Sequence, residues 1–395
     1  MGDPVPFQRE ELAAVTALDA RWAWIEIDQS AIRHNTLEAK KAIRPGCRLM
    51  AVVKADAYGH GAVPCAHTAL AAGANCLAVA TVEEAVELRV AGVDAPLLIL
   101  AEPPISSVSL LLAYDILPAV YTAEFALAYA EVADTHNMKA PFHLAVNSGM
   151  NRIGVRAEEV VEFMRQVSFH RALELVGTFT HFATADCADD LDFRIQLKRF
   201  GEAVSSLRGA GFDPGIVHAA NSATIFRYPQ AHFDMVRLGI SLYGYPPCDE
   251  VRSVTNLMPA MSVYARITNV NTPPINEGVG YGMHYRSPGS VKICTVPLGY
   301  ADGLRRGLSG RGSFILDGQY CRQVGNICMD QCMFEVDMRS YGKNRRLDPQ
   351  VGDKVTIVGR DGDAVVSITE MAYALDTIEY EVLIGFSHRL PRLQV

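Results

Sequence analysis

Residues 49–61 read Leu49-Met-Ala-Val-Val-Lys54-Ala-Asp-Ala-Tyr58-Gly-His-Gly61. An unbroken apolar run, Leu49–Val53, delivers a lysine to the point where the run stops. A run of this kind is the signature of a parallel strand buried on both faces. The carboxyl ends of such strands are where α/β folds carry their chemistry. Apolar neighbours disfavour the ammonium form of a lysine. A neutral amine can attack a carbonyl carbon, so Lys54 is either an imine-forming residue or a side chain snorkelling off a strand end.

Working outward, strand and helix signals alternate. Strands are predicted at Leu49–Val53, Leu77–Thr81, Pro96–Leu100, Leu117–Val120, Phe142–Val146, Leu175–Thr180, Ile216–His218 and Asp234–Arg237. Helical stretches fall between most of them, such as Val82–Val90, Glu124–Ala133, Ala157–Val167 and Leu191–Leu207. This is the pattern of an α/β (β/α)8 TIM-type barrel, and an open doubly wound sheet has the same local signature. Near residue 255 the helical periodicity fades. Short β-rich runs follow at Met261–Val270, Val291–Val296, Ser313–Leu316 and Lys354–Val358, punctuated by Asp302-Gly303, Asp317-Gly318 and Asp361-Gly362. Only Ile368–Leu375 looks helical there. The expected organisation is an N-terminal extension over 1–21, a barrel over 22–255 and a mainly β domain over 256–395.

The bulk numbers narrow the class. A length of 395 residues suits two domains, and 49% apolar residues suffice for sizeable cores. The net charge of −8 argues against a general affinity for nucleic acid or anionic membranes. No run reaches 18 apolar residues, and the acidic start (Asp3, Glu10, Glu11, Asp19) lacks a signal-peptide pattern. Nine scattered cysteines without a Cys-x-x-Cys pair fit reduced thiols in a cytoplasmic protein. No metal set is predicted, because Cys328 and Cys332 find no completing cluster.

The wording Val52-Val-Lys-Ala-Asp-Ala-Tyr-Gly-His-Gly61 closely resembles the lysine motif of the alanine racemases, and the resemblance runs from about Trp22 to the C-terminus. It decides for the barrel and implies pyridoxal 5'-phosphate held on Lys54 as a Schiff base. It also implies interconversion of L- and D-alanine, a role in supplying D-alanine for peptidoglycan, and a homodimer with composite active sites. The strand near Ile25 is implied to join the β domain.

Racemisation needs proton transfer on both faces of Cα, so two tunable bases serve it. Lys54 is one. Tyr281, in Val279-Gly-Tyr-Gly-Met-His-Tyr285, matches the second, which the family places in the partner subunit's site. His181, after Thr180, resembles the histidine that hydrogen-bonds that tyrosine. Arg237, in Val236-Arg-Leu-Gly-Ile240, resembles the arginine facing the pyridine nitrogen. A guanidinium holds its proton too tightly to share it, so that nitrogen stays unprotonated. Ser222, the amides of Gly239 and Ile240, and the hydroxyls of Tyr58 and Tyr380 match the phosphate-holding set. Arg152, the Met329 amide and Tyr300 match the substrate pocket, which Tyr300 and Tyr380 are expected to keep small.

Two departures stand out. Ala145 occupies the position of a lysine carbamate found in many members. Asn147-Ser148-Gly149 replaces Asp-Thr-Gly. Both remove negative charge near Arg152, and a closed-in cation without a counter-ion is costly. A bound chloride near Arg152 is therefore expected. The Ala-x-Asn-Ser-Gly wording also resembles broad-specificity amino-acid racemases acting on serine or basic amino acids. Decarboxylases of basic amino acids share the architecture, but Arg237 and Tyr281 fit the racemases better.

Overall fold

A computed structural model describes residues 21–342 and 346–395. The expected extension over 1–21 therefore lies, apart from Arg21, outside the described residues. The chain divides into two compact units: Gln29–Ala260, and Met261–Val395 together with the segment ending at Asp28.

The first unit is a closed parallel barrel of β1 (Arg48–Val52), β2 (Cys76–Val79), β3 (Leu97–Ile99), β4 (Leu117–Val120), β5 (Ala140–Asn147), β6 (Leu173–Phe179), β7 (Ile216–His218) and β8 (Met235–Leu238). Each strand pairs with the next, and β8 returns to β1 through Leu238↔Ala51. That return of β8 to β1 is what separates this barrel from an open sheet. All eight predicted strands are present within a few residues. Leu49, Ala51, Leu77, Ala78, Leu97, Ile99, Ala119, Val120, Leu144, Val236 and Leu238 are fully or almost fully buried, as unbroken apolar runs demand. Helices Gln29–Ala42, Ala62–Ala71, Val82–Val90, Ala123–Thr135, Val160–Val167 and Leu191–Gly209 make up the outer layer.

Two sharp features shape the carboxyl ends of the strands. Ala55, Asp56, Ala57 and Tyr58 form one left-handed turn, with φ between 51° and 54°. L-residues pay roughly 1–2 kcal/mol each for that geometry. Several bonds pin it. Ala55 N donates to Glu84 Oε1 at 2.6 Å, and Asp56 Oδ1 accepts from Ala62 N at 2.7 Å. The Tyr58 ring lies 4.8 Å from that of Tyr243, whose hydroxyl donates to Val52 O at 2.8 Å. The second feature is the loop after β5, which returns to pair Val155 and Arg156 with Val146 and Asn147. At Gly154 (φ +107°) a Cβ would sit 2.7 Å from Asn147 N, so only glycine permits the return.

The second unit is a ten-stranded sheet. Its path runs Asn269–Asn271, Val291–Val296, Cys332–Asp337, Gln319–Val324, Ser313–Leu316, Lys354–Asp361, Met261–Arg266, Ala23–Ile27 and Arg392–Gln394, with Ala364–Val366 beside Lys354–Asp361. Ala23–Ile27 lies antiparallel to Met261–Arg266 and parallel to Arg392–Gln394. Asp317-Gly318 closes a two-residue hairpin with both residues at positive φ, as its sequence predicts. One expectation is corrected here. Besides Ile368–Ala374 there is a second helix, Glu379–Gly385, which carries Tyr380. Both helices have seven residues, but Ser367-x-x-Glu370 marks the first with a capping box, whereas Ile378 gives the second no side-chain cap.

Candidate active site

At the carboxyl ends of the barrel strands the predicted residues of the first unit converge. Lys54 follows β1. Burial, and next the charge of Arg152, lower its pKa, while Glu84 opposes them. Lys54 is thus biased toward the neutral amine that can act as nucleophile or base.

Arg237, on β8, is 3% exposed. It is held by Thr180 O at 2.8 Å, Ala219 O at 3.1 Å, His218 Nδ1 at 2.9 Å and His181 Nδ1 at 3.2 Å. Its guanidinium carbon stands 5.6 Å from the centre of the Phe179 ring. Burial, then Arg152, pull it down to about 9, which leaves it charged at neutral pH. Burial and Arg237 also depress His181, to about 3, with Arg152 and Lys54 adding to the effect. A guanidinium has no acceptor, so the neutral His181 must accept at Nδ1 and carry its proton on Nε2. His181 therefore offers an outward N–H.

Ser222, Gly239 and Ile240 form a cradle after β7 and β8. Ser222 Oγ accepts from Gly239 N at 3.0 Å and from Ser241 N at 3.4 Å. A Cβ at Gly239 would stand 3.2 Å from Tyr58 Oη and 3.7 Å from Ser222 Oγ, so the glycine keeps the space between these groups open. Burial raises Tyr58 to about 12, so it remains a hydroxyl donor. A serine hydroxyl that gathers the Gly239 and Ser241 amides, the Ile240 amide beside it and a protonated tyrosine around a glycine fit a phosphate.

The loop after β5 is built on Asn147. Its Oδ1 accepts from Gly149 N at 3.0 Å and Asn151 N at 3.1 Å, and its Nδ2 donates to Asn151 Oδ1 at 3.0 Å. An aspartate could make the first two bonds but not the third. Arg152 is exposed on this loop. Ala145 lies in a small apolar cluster with Ala119 and Phe179, flanked by Leu100 and Tyr121.

In the second unit, Tyr281, Tyr300 and Met329 share one loop cluster. Asn326 Nδ2 donates to Tyr281 O at 2.7 Å, Tyr300 N to Cys328 O at 2.9 Å, and Ala301 N to Met329 O at 3.0 Å. Tyr281 is 75% exposed, and Met283, Met329 and Tyr300 are exposed beside it in sequence or through these bonds. Tyr380 is half-buried on its helix. Asp302, read from sequence as part of a turn, is structural: it pairs with Arg21 and accepts from Gly299 N at 3.0 Å. Among the described residues no cluster of three or more His, Cys, Asp or Glu could hold a metal, and no helix is long and apolar enough to cross a membrane.

Three residues of this constellation escape sequence reading: His218, His143 and Glu84. His218 Nε2 bonds His143 Nδ1 at 2.9 Å. Glu84 takes three backbone amides, those of Ala55, Ala80 and Thr81. A single histidine in an apolar strand carries no local signature. Thr81-x-x-Glu84 is a legible capping box, but its reach to Ala55 is not local.

The characteristic pattern of an alanine racemase N-terminal domain matches residues 27–247, and that of the C-terminal domain matches 260–394. The chain belongs to the alanine racemase family. Alanine racemase from Carboxydothermus hydrogenoformans is 41% identical, covering 95% of this chain and 100% of its own, and that from a Nostoc species is 39% identical over 94% and 96%. Among solved structures, alanine racemase of Bacillus anthracis with bound L-Ala-P superposes with a TM-score of 0.88 at 36% identity over 95% of both chains. Histidine racemase from Leuconostoc mesenteroides gives 0.86 at 31% identity over 95% of this chain and 98% of its own. The alanine racemase family depends on pyridoxal phosphate, and the cradle at Gly239 suits that cofactor's phosphate.

Proposed function

We propose that this enzyme interconverts L- and D-alanine by two-base proton transfer, with Lys54 holding pyridoxal phosphate. The observation that carries the reading is the meeting of a deprotonation-prone Lys54, a buried charged Arg237 and the Gly239 cradle at one end of a barrel. Bound there, the cofactor supplies the electron sink that acidifies the substrate's Cα–H. Ser222, the amides of Gly239 and Ile240, Tyr58 and Tyr380 hold its phosphate. Arg237 faces the ring nitrogen as a donor and leaves it unprotonated.

Lys54 takes or returns the proton on one face of Cα and Tyr281 on the other. An unperturbed phenol, with pKa about 10, needs help to serve as a base. The Nε2–H of His181 supplies it by donating to the Tyr281 oxygen. Arg152 and the Met329 amide orient the substrate carboxylate, while Tyr300 and Tyr380 restrict the side chain. Chloride accompanies Arg152 in place of a carbamate, since Ala145 and Asn147 bring no charge. A homodimer, in which the second unit contributes Tyr281, Tyr300 and Met329 to the partner's site, accounts for the exposure of that cluster. Nine free cysteines support a reducing, cytoplasmic setting, where D-alanine feeds peptidoglycan.

A second reading, a wider amino-acid range, is favoured by Ala145 and Asn147 and by the likeness to a histidine racemase. The test is Cα exchange. The PLP-loaded protein is incubated in D2O with L-alanine, L-serine, L-lysine or L-histidine, and both enantiomers are followed by chiral chromatography and mass. Deuterated D-alanine forming far faster than the others is expected. Comparable rates move the assignment to the wider range, and no exchange removes the racemase reading.

A further inference from the structure

Arg237 ends a buried chain of polar side chains that extends away from the cradle, through His218 to His143. Arg237 Nη1 meets His218 Nδ1 at 2.9 Å, and His218 Nε2 meets His143 Nδ1 at 2.9 Å. The chain has a direction. Arginine only donates, so His218 Nδ1 accepts and its proton sits on Nε2. That N–H donates to His143, whose Nδ1 must accept, so the proton of His143 sits on Nε2 too. Both rings are almost wholly buried and pushed toward neutrality by burial and by Arg237.

We propose that His143 is a positioning residue for Arg237: as the last acceptor of this chain it fixes the tautomer of His218 and thereby the bond His218 accepts from Arg237. The proposal rests on the reading that Arg237 faces the cofactor. The alternative tautomer of His218 would turn an N–H against the guanidinium and break that contact. Without His143, the Nε2–H of His218 would be a buried donor with no acceptor.

Packing alone does not account for this histidine. A cavity of about 340 Å3, lined by Met50, Leu98, Leu117 and Met235 and also by Arg48 and Asn75, reaches His143. Elsewhere the fold makes room for it. At Gly177 on β6 a Cβ would stand 2.4 Å from ring atoms of His143, so glycine leaves a notch for the imidazole. The His143 and His218 rings meet edge to face at 5.1 Å, and His218 stacks on Phe179 at 5.0 Å, the ring that also lies beneath Arg237. An aliphatic residue at 143 would pack against such walls at lower desolvation cost. The histidine is explained by its acceptor.

The test combines one spectrum and two variants. Nitrogen-15 spectra of the PLP-loaded protein labelled at histidine are expected to show protons on Nε2 of both His143 and His218. His143→Leu removes the acceptor and His143→Gln restores one through Oε1. His143→Leu is expected to lower kcat about tenfold or more, leave KM for alanine within about twofold and move the ring nitrogen signals of His218. His143→Gln is expected to keep kcat within about threefold of wild type. A proton on Nδ1 of either ring in the wild-type protein overturns the proposal, as does an equal loss in the two variants or no loss in either. If the leucine variant does not fold, the wild-type tautomers and the glutamine variant still decide. A wild-type protein without Cα exchange would remove the racemase reading and leave the tautomers standing. An active racemase with Nδ1-protonated His218 would do the reverse.

Discussion

At the scale of the residue, charge is managed by burial. His143 takes a proton only at about 4 and His181 only at about 3, because desolvation and the charge of Arg237 disfavour the imidazolium at buried His143 and half-buried His181. An unfolded imidazole takes its proton near pH 6.5. Between pH 6.5 and about 4 the unfolded chain therefore binds more protons, and stability falls as the pH drops. Above pH 6.5 these groups add no slope, and below about 4 the share due to His143 is spent. Urea midpoints at pH 7 and pH 5 should show the fall, and His143→Gln should reduce it by about 1.4 kcal/mol per pH unit. An unchanged slope in that variant would mean that His143 takes its proton at the same pH in the folded and unfolded chain. Lys54, Tyr58 and Arg237, which meet in the first unit, stand in short contiguous motifs that the chain displays, and Tyr281, whose role is proposed, stands in another. His143 and His218 were not legible, since their partners lie 75 and 19 residues away.

At the scale of the element, the left-handed turn after Lys54 is the least legible feature. Gly59-His60-Gly61 announces a turn, yet the strained backbone precedes it, at four residues with a Cβ. Local preference opposes this geometry, and tertiary bonds impose it. Glu84 is the chief external support, through Ala55 N at 2.6 Å and Ala80 N at 2.7 Å. Glu84→Ala should cost about 0.5–1.5 kcal/mol of stability by exchanging these bonds for bonds to water, and should relax the turn. The measurement is a denaturation curve together with hydrogen exchange at Ala55 and its neighbours. Exchange there as slow as in wild type would show that the turn stands without the carboxylate. The strands themselves were easily read, because burial on both faces writes itself as apolar runs. The helix bearing Tyr380 carries no start signal, since Ile378 cannot cap it, whereas the equally short Ile368–Ala374 opens on a Ser367/Glu370 capping box.

At the scale of the whole molecule, strand signals alone left a closed barrel and an open sheet equally allowed. The choice lies in the pairing of the last barrel strand with the first, Leu238↔Ala51, which composition cannot report. The proposed composite site is testable at this scale. Lys54→Ala and Tyr281→Phe each leave a homodimer without a complete site. Mixed and re-equilibrated, half the dimers are hybrids, and one of each hybrid's two sites has both bases. Activity should return to about a quarter of wild type. No recovery after proven subunit exchange would place both bases in one subunit.

The sheet of the second unit has a consequence for how the protein is made. Ile25 pairs with Arg392 on one side and with Val263 on the other. A ribosome releases Ala23–Ile27 early and Arg392–Gln394 only after the entire barrel sequence has emerged. The barrel can fold during synthesis, while the early strand must wait, unpaired and apolar, for neighbours not yet translated. Released chains that end at Ala260 should therefore hold a protected barrel beside a strand that chaperones can still grasp.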